Sequence, residues 1–345
     1  MNIFGKTTLI AAAVTMAVLA GGQPAAAQSK IELRVADYLP PNHYIVRYAT
    51  KYFMDKVTAA TDGRVQFKHF PSQQLGKAKD LLALTQSGVA DLAGVVPSFV
   101  SDKLPLGGVV ELPGLYRGSC HGTKAYAELV RGDGIVAKGE LEPANVVILF
   151  PVVVPPYVLF SKSEKLASLE DIKGLKVRSL GGGMALTFKK LGAAPVRMAS
   201  PEIYESLSRG TVDSVAYSYS PLLSNGFHEL VKSALTDVNF GGGAINYVMS
   251  AKRWRALPED VRKVMMDVGS ETISHACSQI DAEIDEAKAK VEASGVKYFE
   301  LSPADKARMD GILTEVAEEW VADLEKRGKA AREALAAFKA ALSKS

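Results

Sequence analysis

The chain has 345 residues, with 41 Lys and Arg against 38 Asp and Glu, a formal charge of +3. A charge this close to balance offers no broad basic surface for nucleic acid, and 48% hydrophobic with 23% charged residues is globular rather than disordered or multi-span composition. With 2 cysteines and 5 histidines, neither a multi-ligand zinc site nor a disulfide-dense scaffold is expected.

The first 27 residues read as an export signal. Lys6 is their only charged side chain, an apolar run covers residues 9–20, and Ala25-Ala26-Ala27 offers a small-residue cleavage site. The apolar run is too short to span a bilayer. The mature chain is therefore expected outside the cytoplasm, in a compartment that allows Cys120 and Cys277 to pair. Two buried free thiols are the alternative. Strands are predicted at 31–36, 65–70 and 90–95, with helices at 45–60 and 77–87 between them. A second series begins with a buried strand at 146–154. It continues with strands at 175–179, 195–198 and 212–216 and helices at 184–191 and 201–209. Each β-α-β-α-β order implies a parallel sheet with crossover helices. From Pro258 onward the chain reads as helical: one helix to about Ser294, then 304–327 and 330–342. A helix of about 35 residues would run about 50 Å, long enough to brace two lobes.

Most candidate chemical motifs fail on context. Gly118-Ser119-Cys120-His121-Gly122 has the spacing of a nucleophile elbow, but no strand precedes it, and a helix is expected from about Thr123. Gly181-Gly182-Gly183 follows a strand and precedes a helix, yet lacks the GxGxxG pattern and any phosphate-binding lysine. Such glycines keep backbone clear of a neighbour, of which a ligand is one candidate. Gly241-Gly242-Gly243 marks a crossing between the lobes. The histidines are scattered without metal-ligand spacing. Arg178 differs, because it lies at the carboxyl end of an otherwise apolar strand, where a guanidinium can grip a carboxylate through two parallel hydrogen bonds. A structural ion pair is the other reading of Arg178.

Several ordered segments carry a family resemblance. They include Phe70-Pro71-Ser72-Gln73-Gln74-Leu75-Gly76, Glu111-Leu112-Pro113-Gly114-Leu115 and the run from Leu169 through Gly174 to Arg178. Leu191-Gly192-Ala193-Ala194-Pro195, Gly210-Thr211-Val212-Asp213 and the run from Trp254 to Arg262 follow. Together they resemble the periplasmic solute-binding proteins of tripartite ATP-independent periplasmic (TRAP) transporters, DctP-like. The resemblance implies an α/β, two-lobed periplasmic binding protein fold. Each lobe is a sheet flanked by helices, and a long helix braces both. The expected division is 1–27 signal peptide, 28–154 plus about 244–283 lobe I, and 155–243 plus about 284–345 lobe II with the C-terminal helices.

The resemblance also implies a carrier rather than an enzyme. It would close on a small organic acid and deliver it to the small and large permease subunits in the membrane. A periplasmic sensor of the same fold is the alternative, and a secreted hydrolase would need a nucleophile and base that are not visible. An arginine at the position of Arg178 typically binds the substrate carboxylate. In the sialic-acid-binding branch the position of Val158 holds a second arginine, Tyr217 an amide, Val96 an acid, and Phe240 a histidine of the last cleft strand. Four changes from polar to apolar or aromatic suit an acid with an apolar or aromatic body. Tyr157 lies beside Val158, while Tyr38, Ser98 and Phe99 occupy strand-to-helix turns facing the cleft. Ala216 stands where metal-dependent relatives place an acid, so no metal is expected. No cofactor and no nucleic acid are expected, and a monomer is.

Overall fold

The computed structural model describes residue 1 and residues 29–345, so the signal-peptide reading lies outside the described residues. Eleven strands follow in order: β1 (Ile31–Ala36), β2 (Val65–Phe70), β3 (Leu92–Val95), β4 (Val146–Val153), β5 (Val158–Ser161), β6 (Lys176–Ser179), β7 (Ala194–Arg197), β8 (Ser214–Tyr217), β9 (Ser233–Leu235), β10 (Ala244–Ser250) and β11 (Lys297–Phe299). The α-helices are α1 (Tyr52–Ala60), α2 (Leu81–Gln86), α3 (Ser119–Val130), α4 (Gly182–Lys190), α5 (Ile203–Ser208), α6 (Tyr219–Ser224), α7 (Ala251–Ala256), α8 (Glu259–Ala282), α9 (Ile284–Ala293), α10 (Pro303–Lys326) and α11 (Ala331–Leu342).

The strands form two sheets, ordered β2-β1-β3-β10-β4 and β11-β9-β5-β8-β6-β7. In the first, β1 runs parallel to β2 and β3, while β10 is antiparallel to both β3 and β4. In the second, β6 runs parallel to β7 and β8, and β5 pairs antiparallel with β8. The parallel cores are those the alternating pattern implies. The antiparallel members come from the chain crossing between sheets, once after β4 and again through residues 236–243. The second crossing contains Gly241-Gly242-Gly243.

The long helix after Pro258 is bent rather than single. It divides at Glu283, which keeps helical angles (φ −81°, ψ −14°), and Gly295 (φ +97°) stops it. Its first part packs on β4, α1 and α3, and its second on α6. One helix therefore leans on both halves. At the C-terminus, α10 packs on α4, whereas α11 packs on α3 and the 3-10 segment Leu106–Glu111. The helix expected from Thr123 starts earlier, at Ser119, because both carboxylate oxygens of Asp281 accept from the Ser119 and Cys120 N–H groups (2.7 and 2.8 Å). Cys120 and Cys277 are disulfide-bonded, with Cα atoms 4.6 Å apart. This settles the choice between paired and free thiols and removes Cys120 as a nucleophile.

Candidate functional site

Arg178 is the penultimate residue of β6, in register with Val196 of β7 and Val215 of β8. Its side chain is 0% exposed. Nε donates to the Met198 carbonyl (3.1 Å) and Nη1 to the Ala216 carbonyl (3.1 Å), while Nη2 has no hydrogen-bond partner. Among the described residues no carboxylate forms an ion pair with it. The structural ion-pair reading is thereby replaced by two backbone carbonyls, which orient the fork without neutralising it. A buried cation held this way favours an anion strongly.

Tyrosines surround the guanidinium. The Tyr217 ring centroid is 5.2 Å from Arg178 Cζ, within cation–π range. Tyr217 Oη donates to Ser200 Oγ (2.8 Å), and Tyr157 tilts against Tyr217 with centroids 5.5 Å apart. Tyr38 reaches the same cluster from the end of β1 and meets Phe99 edge to face at 5.8 Å. Burial drives the phenols of Tyr38, Tyr157 and Tyr217 above the ordinary tyrosine value, and the positive charge of Arg178 opposes the shift in all three. They are neutral hydrogen-bonding groups at physiological pH. Val158 lies directly opposite Tyr217 in the β5–β8 ladder, so their side chains share a face.

The remaining sequence-predicted residues are placed less uniformly. Ser98 belongs to the boundary between the sheets, where its carbonyl accepts from Arg197 Nη1 at 3.1 Å. Gly181 (φ +111°) and Gly182 (φ +51°) open α4 against that boundary. A Cβ on Gly181 would sit 3.0 Å from Arg197 Cδ, and one on Gly182 would sit 2.9 Å from Glu111 Oε2. Val96 is buried and precedes the 3-10 turn Pro97–Val100. Phe240 departs from expectation. It lies in the crossing rather than in a strand, and stacks on Phe188 of α4 (5.1 Å, 17°). Its N–H donates to the Tyr157 carbonyl (3.0 Å), which ties the crossing to the start of β5.

Sequence reading missed several participants. Ser200 orients Tyr217. Tyr44 places its Oη 3.4 Å from Ser218 Oγ. Glu111 is 1% exposed, accepts from the Ser98 N–H through Oε1 (3.0 Å) and leaves Oε2 without a partner. Burial pushes its carboxyl up to about 8, against the lowering effect of Ser98. Glu111 and Gly182 also line a cavity of about 490 Å³ that extends to Trp320 of α10. The ELPGL segment carrying Glu111 was the available signal, an acid inside an apolar run. Among the described residues no cluster of His, Cys, Asp or Glu has the makings of a metal site, and no helix is long and apolar enough to cross a membrane.

Two α/β sheets joined by repeated crossings and a shared helix, with a buried cation at the carboxyl end of a parallel strand, define the class of two-lobed solute-binding proteins. Residues 35–323 match the family of bacterial extracellular solute-binding proteins, family 7 (DctP). The chain belongs to that family: it is a TRAP solute-binding protein, a transport component and not an enzyme, of the kind that binds small organic ligands and works with membrane permease components. It is 27% identical over 329 residues to the outer membrane transporter protein TsaT of Comamonas testosteroni, covering 94% of this chain and 96% of the relative. It is 26% identical over 266 residues to the C4-dicarboxylate-binding periplasmic protein DctP of Rhodobacter capsulatus, covering 75% and 77%. In fold it is similar to a TRAP solute-binding protein of Rhodoferax ferrireducens solved with copurified benzoate (TM-score 0.83, 24% identity, covering 91% of this chain and 98% of that one). It is likewise similar to one of Bordetella bronchiseptica with bound mandelate (TM-score 0.82, 21% identity, 91% and 99%).

Proposed function

We propose that this protein captures an organic monocarboxylate with an apolar or aromatic body between its two halves and delivers it to the small and large permease subunits of a TRAP transporter. The lobes are assigned as 28–154 plus about 244–283, and 155–243 plus about 284–345. Capture takes place in the periplasm, after export directed by residues 1–27.

The observation that carries this reading is Arg178, fully buried, fixed by two carbonyls and with Nη2 free beneath Tyr217. A carboxylate meeting that guanidinium gains a charge-assisted bond in a dry setting. The rings of Tyr217, Tyr157 and Tyr38 then bury the ligand's body, at about 25 cal/mol per Å² of apolar surface. The benzoate and mandelate bound by similar structures support an aromatic acid.

The test is ligand-induced thermal shift and calorimetry across benzoate, mandelate, aliphatic monocarboxylates, sialic acid and glucuronate. Aromatic or aliphatic acids are expected to stabilise the protein, and Arg178→Ala to weaken binding by at least about 30-fold, consistent with the 2–5 kcal/mol lost when a buried charge pair is broken. Preference for the sugar acids, or full binding by Arg178→Ala, sinks the assignment.

A further inference from the structure

A second group of cations stands just outside the Arg178 site. Lys77, Lys79 and Arg197 line a cavity of about 220 Å³ together with Phe99, Met198 and Glu202. Among the described residues none of the three cations has an ion pair, and Glu202 is the only carboxylate in the lining. Lys77 and Lys79 are exposed.

Their placement is built, not incidental. Gln73 adopts φ +64°, donates its N–H to the Asp37 carbonyl (3.1 Å), and accepts the Ala78 N–H on its side-chain oxygen (3.0 Å). Those bonds fasten the segment 77–79 to the end of β1, next to Tyr38. On the opposite side Arg197 ends β7 and donates to the Ser98 carbonyl across the boundary between the halves. The cavity's inner wall is shared with the buried site. Met198 lines it while its carbonyl holds Arg178 Nε, and Phe99 lines it while packing on Tyr38.

We propose that this cavity is an anion-receiving vestibule. Lys77, Lys79 and Arg197 draw an organic anion to the mouth of the cleft, its carboxylate passes the Phe99–Met198 wall to Arg178, and Arg197 then latches the halves together through the Ser98 carbonyl. The inference rests on the reading of Arg178 as the carboxylate anchor. Cations ringing a concave mouth of low dielectric raise encounter rates by about 10 to 10³-fold, an effect that salt screens over about 10 Å at 0.1 M.

Two measurements decide it. In the first, benzoate binding is followed by stopped-flow tyrosine fluorescence at 10 and 200 mM salt. Lys77→Gln/Lys79→Gln is expected to slow association about five-fold or more at low salt, with the difference shrinking at high salt and dissociation unchanged. Arg197→Gln is expected to slow association and also to speed dissociation. In the second, benzoate is titrated into the labelled protein and its Arg178→Lys and Arg178→Ala variants, watching backbone amide resonances of residues 77–79 and 197–199. Millimolar benzoate should still shift those amides when Arg178 is changed, neutral benzamide should not, and the triple Gln variant should abolish the effect. Association rates within two-fold of the parent at 10 mM salt, or amide shifts equal for benzoate and benzamide, overturn the vestibule. If the parent shows no tight benzoate site but the vestibule amides still respond to benzoate alone, the ligand assignment at Arg178 fails and the vestibule stands.

Discussion

A guanidinium with no exposed surface is costly unless its donors are engaged, and Arg178 engages two of its three nitrogens with backbone carbonyls. The aromatic neighbours contribute a face rather than a counter-charge. Tyr217 is the best placed, because Ser200 fixes its ring over Cζ. Tyr217→Phe keeps the ring and removes the hydroxyl, so a loss of about 1 kcal/mol in urea unfolding is expected, together with a less than ten-fold loss of ligand affinity. Tyr217→Leu removes the ring face and is expected to cost affinity well beyond that of Phe; equal affinities for the two variants in calorimetry would refute the cation–π role. Arg178 was legible in the sequence because a charged residue ending an apolar strand is chemically anomalous. Ser200 and Tyr44 were not, since a serine after a short strand and a tyrosine just before a predicted helix look like ordinary turn residues. Phe240 was misplaced for a related reason. Its neighbours Gly241–Gly243 signal a crossing, but nothing in one sequence shows that its ring turns toward α4.

Among the elements, reading succeeded where period and punctuation agree. The predicted limits of β1 and β2 coincide with those observed, and Gly295 stops the long helix where expected. Four strands, β5, β9, β10 and β11, escaped. Three of them have only three or four residues, too few for alternation to show, and β10 is buried on both faces, so its side chains need not alternate. The bend at Glu283 is silent in sequence because the residue keeps helical angles. The junction of α3 with α8 combines a disulfide and the Asp281 cap at one corner. The disulfide closes a loop of 157 residues, so much of its effect falls on the unfolded chain. Cys120→Ser/Cys277→Ser is expected to lower stability by about 2–5 kcal/mol. Asp281→Ala would leave two N–H groups at the start of α3 without their acceptor and cost about 1 kcal/mol. Chemical denaturation of both variants checks the order; a disulfide variant as stable as the parent would place the restraint elsewhere.

At the scale of the whole molecule, three buried carboxyls make stability depend on pH in one direction. Burial lifts Glu111 to about 8, Glu140 to about 7 and Asp37 to about 6, in each case against hydrogen bonds that favour the ionised form. A carboxyl whose folded value is raised binds its proton more tightly in the native state. Its contribution is complete below the unfolded value and is lost as pH rises through the folded one. Each such group tilts stability by up to about 1.4 kcal/mol per pH unit between the two values. Histidines oppose them: burial lowers the His43 imidazole to about 3 and also lowers His69 and His275, and the unfolded chain takes up those protons below about 6.5. From pH 8 to 6.5 only the carboxyls act, so stability is expected to climb as pH falls. From 6.5 to about 5 the three histidines work against the carboxyls and flatten the curve, leaving the gain already made above pH 6.5. Melting temperature should therefore be higher at pH 5.5 than at pH 8, and Glu111→Gln should flatten the upper part of that slope, since Glu111 titrates highest. Glu111 joins Ser98 of one half to the Gly182 end of α4 in the other. Ionising it places a charge at the boundary that closure must bury, so ligand affinity should fall along with stability between pH 7 and 9. Calorimetry with benzoate across that range, on the parent and Glu111→Gln, separates this from titration of the ligand, whose carboxylate is ionised throughout; a pH-independent affinity in the parent would remove Glu111 from the closing surface.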